Sequence, residues 1–356
     1  MATRRTFLQA AAMGAAVISG SSVRAAQPAK PKIKVGQIGT THAHATKLEV
    51  YRQSSDYEVV GVVEPDPQQR ARVAQQAAYR DLPWLTQEQL LNTKDLQVIL
   101  VETEVRDLLE TAAKAIAAGQ HVHLDKPAGA SLPKYRELLA AAEKQKLLVQ
   151  MGYMFRYNPA VLLLRKFLRE GWLGEVFEVH TAMSKVVSAG DRKQLAEFNG
   201  GIMFELGCHV VDLAVAVLGK PERVTSFARK TGFQNDGLVD NVLAVFEYAN
   251  ATASVRSSAV EVNGGARRHL VVCGRRGSFH IQPLDAPNIV YTLDADQGEY
   301  RRGTHEIKFG NYPRYVGDAA DMAQIIRGEK ECDYSYAHDL AVQESVLLAS
   351  GMSLED

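Results

Sequence analysis

The chain has 356 residues, 46% hydrophobic and 23% charged, with 41 Lys+Arg balanced by 41 Asp+Glu. That length exceeds the roughly 250–300 residues at which a single core stops growing, so two domains are expected. The composition excludes collagen-like, disordered and disulfide-scaffold classes. Zero formal net charge leaves no electrostatic footprint for nucleic acid or an anionic membrane, so the expected partner is a small molecule, with no nucleic acid and no stable membrane insertion.

The first residues read as a targeting segment. Thr3-Arg4-Arg5-Thr6-Phe7-Leu8 is a twin-arginine pattern, an apolar small-residue run continues to about Gly20, and Val23-x-Ala25 offers a cleavage site. The run is shorter than the roughly 20 residues that span a bilayer. Residues 1–26 are therefore expected to be a Tat-type export signal, which places the mature protein in the periplasm or otherwise outside the cytoplasm. An exported nicotinamide enzyme would have to keep its cofactor bound and regenerate it in place. Cys208, Cys273 and Cys332 are widely spaced without a CxxC, which argues against a thiolate zinc site and for buried free thiols.

From residue 31 to about 151, strands alternate with helices. Strands are expected at 33–38, 58–63, 96–101, 121–124 and 147–149. Helices are expected at about 43–53, 68–78, 106–118 and 132–144, and Thr86-x-x-Gln89 looks like a capping box. This alternation predicts an α/β fold, an N-terminal Rossmann doubly wound parallel sheet whose ligands lie beyond the carboxyl ends of the strands. From 152 to 356 the pattern changes to helices at 160–170 and 202–218, strands at 175–183, 224–230, 242–248, 252–259 and 269–273, and two helices in the tail after about Val316. The second domain is thus expected to be α+β with an open, mostly antiparallel sheet.

Three segments carry candidate chemistry. Gly39-Thr40-Thr41-His42-Ala43-His44 joins the first strand to the first helix, where a pyrophosphate rests on a helix N-terminus. It keeps only the first glycine of G-x-G-x-x-G. Glu64 closes the second strand, where a carboxylate accepts from a ribose 2′-hydroxyl and repels a 2′-phosphate, favouring NAD over NADP. The bland alternative for Glu64 is an exposed strand-end charge. Lys126, in Asp125-Lys126-Pro127, follows a buried strand and can stabilise an alkoxide in the cleft, or can be a surface lysine. On the predicted helix 202–218, Glu205 and His209 lie at i and i+4, with Asp212 three residues further on. His209 is a candidate general base, Glu205 can orient it or the substrate, and Asp212 can hold the other ring nitrogen. A metal alternative was weighed at His42, His44, His121, His123 and Asp125; no metal is expected.

With these segments in hand, the chain resembles the glucose–fructose oxidoreductase/inositol dehydrogenase (Gfo/Idh/MocA) family. The resemblance rests on Gly36-Gln37-Ile38-Gly39, Ala118-Gly119-Gln120-His121-Val122, Asp125-Lys126-Pro127, Gly152-Tyr153-Met154-Phe155-Arg156-Tyr157-Asn158-Pro159, Gly171-Trp172-Leu173-Gly174 and residues 200–212. It implies Lys126 between nicotinamide and substrate, His209 as base, Glu205 on substrate hydroxyls, and Tyr153 and Arg156 near the cleft, with Asp212 beside them. It implies cofactor contacts from Gly39, Thr40, Thr41, His42, Glu64, Thr103, Asp125 and Lys126, a tightly held NAD, a sugar or polyol substrate, and homo-oligomer contacts through the open sheet. Departures from the family pattern are Asp125 for Glu, Glu205 for Asp, Thr103-Glu104-Val105 for Thr-Pro-Asn, and two lost loop glycines. The expected activity is oxidation of a sugar or polyol hydroxyl. The alternatives are redox-neutral glycoside cleavage through a transient keto-sugar, and non-catalytic sugar binding on a degenerate Rossmann scaffold.

Overall fold

The computed structural model describes residues 30–310 and 312–355. The export signal expected over residues 1–26 lies outside the described residues. Among the described residues, no helix is long and apolar enough to cross a membrane.

The first half alternates as the pattern requires: β1 (Ile33–Ile38), α1 (Leu48–Gln53), β2 (Tyr57–Val63), α2 (Pro67–Val73), α3 (Gln87–Leu91), β3 (Leu96–Val101), α4 (Leu108–Ala117), β4 (His121–Leu124), α5 (Leu132–Lys144) and β5 (Val149–Met151). The strands form one parallel sheet in the order β2-β1-β3-β4-β5. β3 is apolar except at Gln97, which suits a strand covered on both faces. Thr86 and Gln89 form the reciprocal capping box that opens α3. β5 begins two residues later than expected, because Leu147 still bonds back to Ala142 at the end of α5.

The second half comprises α6 (Pro159–Arg169), β6 (Val176–Ser184), α7 (Ala189–Leu195), α8 (Cys208–Leu218), β7 (Arg223–Arg229), β8 (Asn241–Glu247), β9 (Thr252–Ser258), β10 (His269–Gly274), β11 (Gly277–Ile281), β12 (Asn288–Leu293), β13 (Gly303–Lys308), α9 (Val316–Ile326) and α10 (Tyr336–Ala349). Its eight-stranded sheet runs β13-β12-β11-β10-β6-β9-β8-β7. Only the β6/β9 pair is parallel. β11, β12, β13 and α7 were not expected from the sequence. The helix expected over 202–218 is instead a single π-helical turn, Met203–Gly207, leading into α8. Cys208 is buried, Cys273 and Cys332 are half-buried, and all three are unpaired.

The tail does not belong wholly with the second sheet, where a split at residue 152 would put it. Ala319, Met322 and Ala323 of α9 join a core with Val35, Leu48, Tyr51 and Val98 of the parallel sheet. The Tyr57 hydroxyl donates to the Ala319 carbonyl at 2.7 Å, and Arg327 pairs with Asp56 at 2.6 Å. The cause is local. The first turn of α9 and the residues that follow it present small or flexible side chains that fit against two tyrosines, Tyr51 and Tyr57.

One buried carboxyl in this contact sets a pH dependence. Asp318 is buried, and burial pushes its pKa from 3.8 up to about 7, against the opposing pull of Lys47. The folded chain holds this proton where the unfolded chain has released it, so stability falls as pH rises from about 4 to about 7. Asp318→Asn is expected to raise stability by about 1–3 kcal/mol at pH 8 and to change it little near pH 4. Urea midpoints at the two pH values check this; equal shifts at both would contradict it.

Candidate active site

The loop after β1 is shaped by close approach. Gly39 has φ +89°, and a Cβ there would lie 2.6 Å from the Thr103 amide nitrogen beyond β3. Glu64, at the end of β2, accepts from the Thr40 amide at 3.0 Å and the Thr40 hydroxyl at 2.6 Å. Its other oxygen accepts from the Asp66 amide at 3.1 Å. The loop turns on two further bonds, His42 amide to Glu102 carbonyl at 3.1 Å and His44 amide to His42 Nδ1 at 3.2 Å. Within the loop, and among the described residues, Thr41 and Ala43 carry amides with no such bond.

A cleft of about 560 Å³ opens beside this loop, where the strand order reverses between β1 and β3. That reversal is where open parallel sheets take their ligands. Gly39, Glu64 and Thr103 line it as expected. Arg70, Trp84 and Thr86 line it too, with the Arg70 guanidinium 5.1 Å from the centre of the Trp84 ring. Sequence reasoning missed these three. The available signal was that Arg70 lies on the short helix that directly follows Glu64. The cleft is open above Gly39 and a carboxylate stands at the ribose position, so the residues present fit the adenosine half of a dinucleotide.

Two expected cofactor contacts point elsewhere. His42 and Asp125 are buried beneath the loop. His42 Nε2 lies 3.0 Å from the Lys126 carbonyl, and its Nδ1 lies 3.2 Å from Asp125. Asp125 also meets Lys47 at 2.6 Å and His44 at 3.2 Å, and Lys47 reaches Glu102 at 3.0 Å. Burial would raise the Asp125 carboxyl, but His42, Lys47 and His44 hold it well below the usual range. Burial and the neighbouring Asp125 push Glu102 well above it, against Lys47. His42 and Asp125 therefore build the floor of the site, together with Lys47 and Glu102, which the sequence reading did not single out. Lys47 lies one turn beyond the loop and Glu102 at the end of β3.

The next residue faces the other way. Lys126 Nζ donates to Glu205 Oε1 at 2.9 Å and to the Glu205 carbonyl at 2.8 Å. Burial opposes the charge on Lys126, yet Glu205, Cys208 and Asp125 together outweigh it and raise its pKa. Burial would likewise raise Glu205, but Lys126, with Lys185 beside it, holds its carboxyl at about 2. The pair is thus a fixed ammonium–carboxylate, half-open on the Glu205 side. His209 is buried against Phe155, Tyr153 and His44, with ring centroids 5.7, 6.0 and 5.6 Å away. Burial, then Lys126 and His44, push its protonation well down. Its Nδ1 and the second oxygen of Glu205 have no partner among the described residues. A neutral imidazole with a bare nitrogen beside a charged ammonium can accept a proton from a hydroxyl whose oxygen the ammonium steadies.

Asp212 and Arg156 correct the reading of this region. Asp212 does not hold His209. It takes Nε and Nη2 of Arg156 at 2.6–3.2 Å, and Arg156 also reaches Asp339 of α10 at 2.6 Å. The guanidinium lies between the Tyr153 and Tyr334 rings, at 4.9 and 4.0 Å. Both charged groups are buried and spent on each other, so they tie α8 to α10 and do not line a substrate site. Tyr153 serves as a wall behind His209.

A parallel sheet with a ligand cleft at its switch point, and a buried lysine and histidine gathered beyond the end of β4, are the features of a nucleotide-dependent oxidoreductase. The family follows from comparison with known proteins: residues 33–153 match the oxidoreductase family with an NAD-binding Rossmann fold, and residues 161–280 match the GFO/IDH/MocA C-terminal domain. The chain belongs to this family, and it is an NAD(P)-dependent oxidoreductase. A curated relative is trans-1,2-dihydrobenzene-1,2-diol dehydrogenase of Xenopus laevis, 24% identical over 284 residues, covering 78% of this chain and 83% of that protein. Among solved structures, an NAD-binding oxidoreductase from Klebsiella pneumoniae superposes with a TM-score of 0.76 at 17% identity, covering 90% of this chain and 96% of that one. UDP-N-acetylglucosamine 3-dehydrogenase GnnA from Acidithiobacillus ferrooxidans superposes at 0.73 with 16% identity, covering 91% and 99%. These two likenesses show the fold.

The Arg156 clamp makes a stability prediction that a substrate contact would not. Arg156→Met strands two buried carboxylates and is expected to cost roughly 3–5 kcal/mol of folding stability. Chemical denaturation measures it. A variant of unchanged stability with a raised KM would return Arg156 to the substrate site.

Proposed function

We propose that the protein oxidises a hydroxyl of a sugar or polyol outside the cytoplasm, using NAD that it holds tightly. The observation that carries this is the Lys126–Glu205 pair at 2.9 Å beside His209, whose Nδ1 has no partner. A charged donor, a charged acceptor and a bare imidazole nitrogen within one buried cluster suit a substrate with several vicinal hydroxyls. The name of the GnnA structure, a dehydrogenase of a nucleotide sugar, supports the substrate class by analogy of fold.

When bound, the nicotinamide supplies the hydride acceptor. Thr41 and Ala43 amides would meet the pyrophosphate, Glu64 the adenosine ribose, and Thr103 the cleft wall. Glu64 disfavours a 2′-phosphate, which supports NAD over NADP. Lys126 steadies the substrate oxygen as it loses its proton, His209 accepts that proton at Nδ1, and Glu205 accepts from a neighbouring hydroxyl. Burial keeps His209 neutral and so ready to accept. Tight cofactor retention suits the twin-arginine segment at Arg4 and Arg5, because that export route carries folded proteins with cofactor already loaded.

That same segment favours a second reading, redox-neutral glycoside cleavage, in which the hydride returns to the substrate and no external oxidant is needed. A homo-oligomer through the outer face of the eight-stranded sheet is also proposed, supported by exposed Phe227, Leu243 and Val290 on that face.

Purified protein is expected to release a nicotinamide nucleotide on denaturation, detected by mass spectrometry. Lys126→Ala should keep the fold and lower kcat by about 10²–10³ or more, the scale for losing one oxyanion donor. Unchanged kcat would remove Lys126 from the mechanism. Release of free sugar from a nitrophenyl glycoside without net NADH would select the redox-neutral reading.

A further inference from the structure

The floor of the site gathers more electron-rich atoms than its one ammonium can satisfy. His42 Nε2 faces the Lys126 carbonyl at 3.0 Å, an acceptor only, so the ring carries its proton on Nε2. Its Nδ1 is then a bare lone pair in the neutral ring. It receives the His44 amide at 3.2 Å, yet it also faces Asp125 Oδ2 at 3.2 Å and Glu102 Oε2 at 3.7 Å. His44 Nδ1 lies 3.2 Å from Asp125 Oδ1. Lys47 is already hydrogen-bonded to Asp125 Oδ2 at 2.6 Å and His123 Nε2 at 2.9 Å, and lies 3.0 Å from Glu102 Oε1. The result is a cluster of buried nitrogen and oxygen lone pairs in which neither Glu102 oxygen has a hydrogen-bond partner among the described residues.

We propose that His42, His44 and Asp125 bind a divalent transition-metal ion of the zinc class, with Glu102 next to them as a second carboxylate. One ligand atom from each of the three residues lies within 4.8 Å of the others. His42 Nδ1 lies 3.2 Å from Asp125 Oδ2 and His44 Nδ1 lies 3.2 Å from Asp125 Oδ1, each near the roughly 3.4 Å edge of a tetrahedron with zinc bonds of about 2.0–2.1 Å, so the two imidazoles flank the two oxygens of one carboxylate. Two imidazoles with carboxylate select zinc, cobalt or manganese over magnesium or calcium, which prefer oxygen alone. The ion would take up these lone pairs and lock the loop between β1 and α1 onto the end of β4. His121 and His123 stay outside the set. His121 Nδ1 accepts the Leu148 amide at 2.8 Å, and His123 bridges Lys47 and Gln150. This inference does not depend on the substrate or on the direction of the redox chemistry.

The test uses the mature chain without an affinity tag, stripped with a chelator and titrated with Co²⁺ and then Zn²⁺. Nucleotide content is measured on the same sample. The expected result is a single ion per chain, visible cobalt bands that zinc displaces, and a rise in Tm with zinc. His44→Ala, at a partly exposed position, should weaken zinc binding at least tenfold while circular dichroism and bound nucleotide stay as in the parent. His42→Ala should also weaken zinc binding. Absence of cobalt bands and of zinc uptake would overturn the proposal and leave these lone pairs to protons. Zinc uptake that persists in the His42→Ala/His44→Ala double variant would also overturn it. Nucleotide bound by a parent chain that takes up neither cobalt nor zinc would defeat this inference while leaving the oxidoreductase reading intact.

Discussion

Two neighbouring residues at the end of β4 face opposite ways, and the site depends on that division. Asp125 turns inward, where His42, His44 and Lys47 hold its charge under the loop that follows β1. Lys126 turns outward and meets Glu205 from the π-helical turn ahead of α8. One strand end thus sits under the loop after β1 and joins the parallel-sheet half of the chain to the half that carries Glu205 and His209. Burying these charges costs desolvation on each side, and each is offset by a close partner of opposite sign. Removing either partner would leave a lone buried charge, so the geometry resists piecemeal change.

The altered loop makes sense in these terms. A glycine-rich loop lets a pyrophosphate approach the backbone directly. Here only Gly39 is kept, at the position where a side chain would strike Thr103. The lost glycines are replaced by residues that tie the loop down: Thr40 to Glu64, and His42 and His44 to Asp125. The same shift appears at the end of β3, where Glu102 adds a buried carboxylate facing Lys47. Loop and strand ends share one buried charge network.

Much of the fold was legible in the sequence because its signals were local. Apolar runs such as Leu96 to Val101, the capping box at Thr86 and the glycine after α4 each act within a few residues. The outer strands of the second sheet were harder to read. β12 and β13 alternate apolar and polar residues weakly, and their pairing is set by partners elsewhere in the chain. Lys126, Glu205 and His209 stand out in the sequence because chemistry-bearing residues cluster in short segments, and the structure brings Lys126 and Glu205 within 2.9 Å. The roles of Arg156 and Asp212 were misread, since Asp339, which completes their clamp, lies 127 positions beyond Asp212 along the chain, in α10. Spacing along one helix put Asp212 near His209, but a guanidinium from another element claimed it first.

The central claim is that a nucleotide lies across the ends of β1 and β3 with its nicotinamide next to Lys126 and His209. A crystal structure of the protein with NAD bound tests it most directly. The account predicts the adenosine ribose on Glu64 and the nicotinamide ring in contact with the Lys126 side chain, facing His209. A nucleotide bound with its nicotinamide away from Lys126, or a cleft that refuses NAD at saturating concentration, would contradict it.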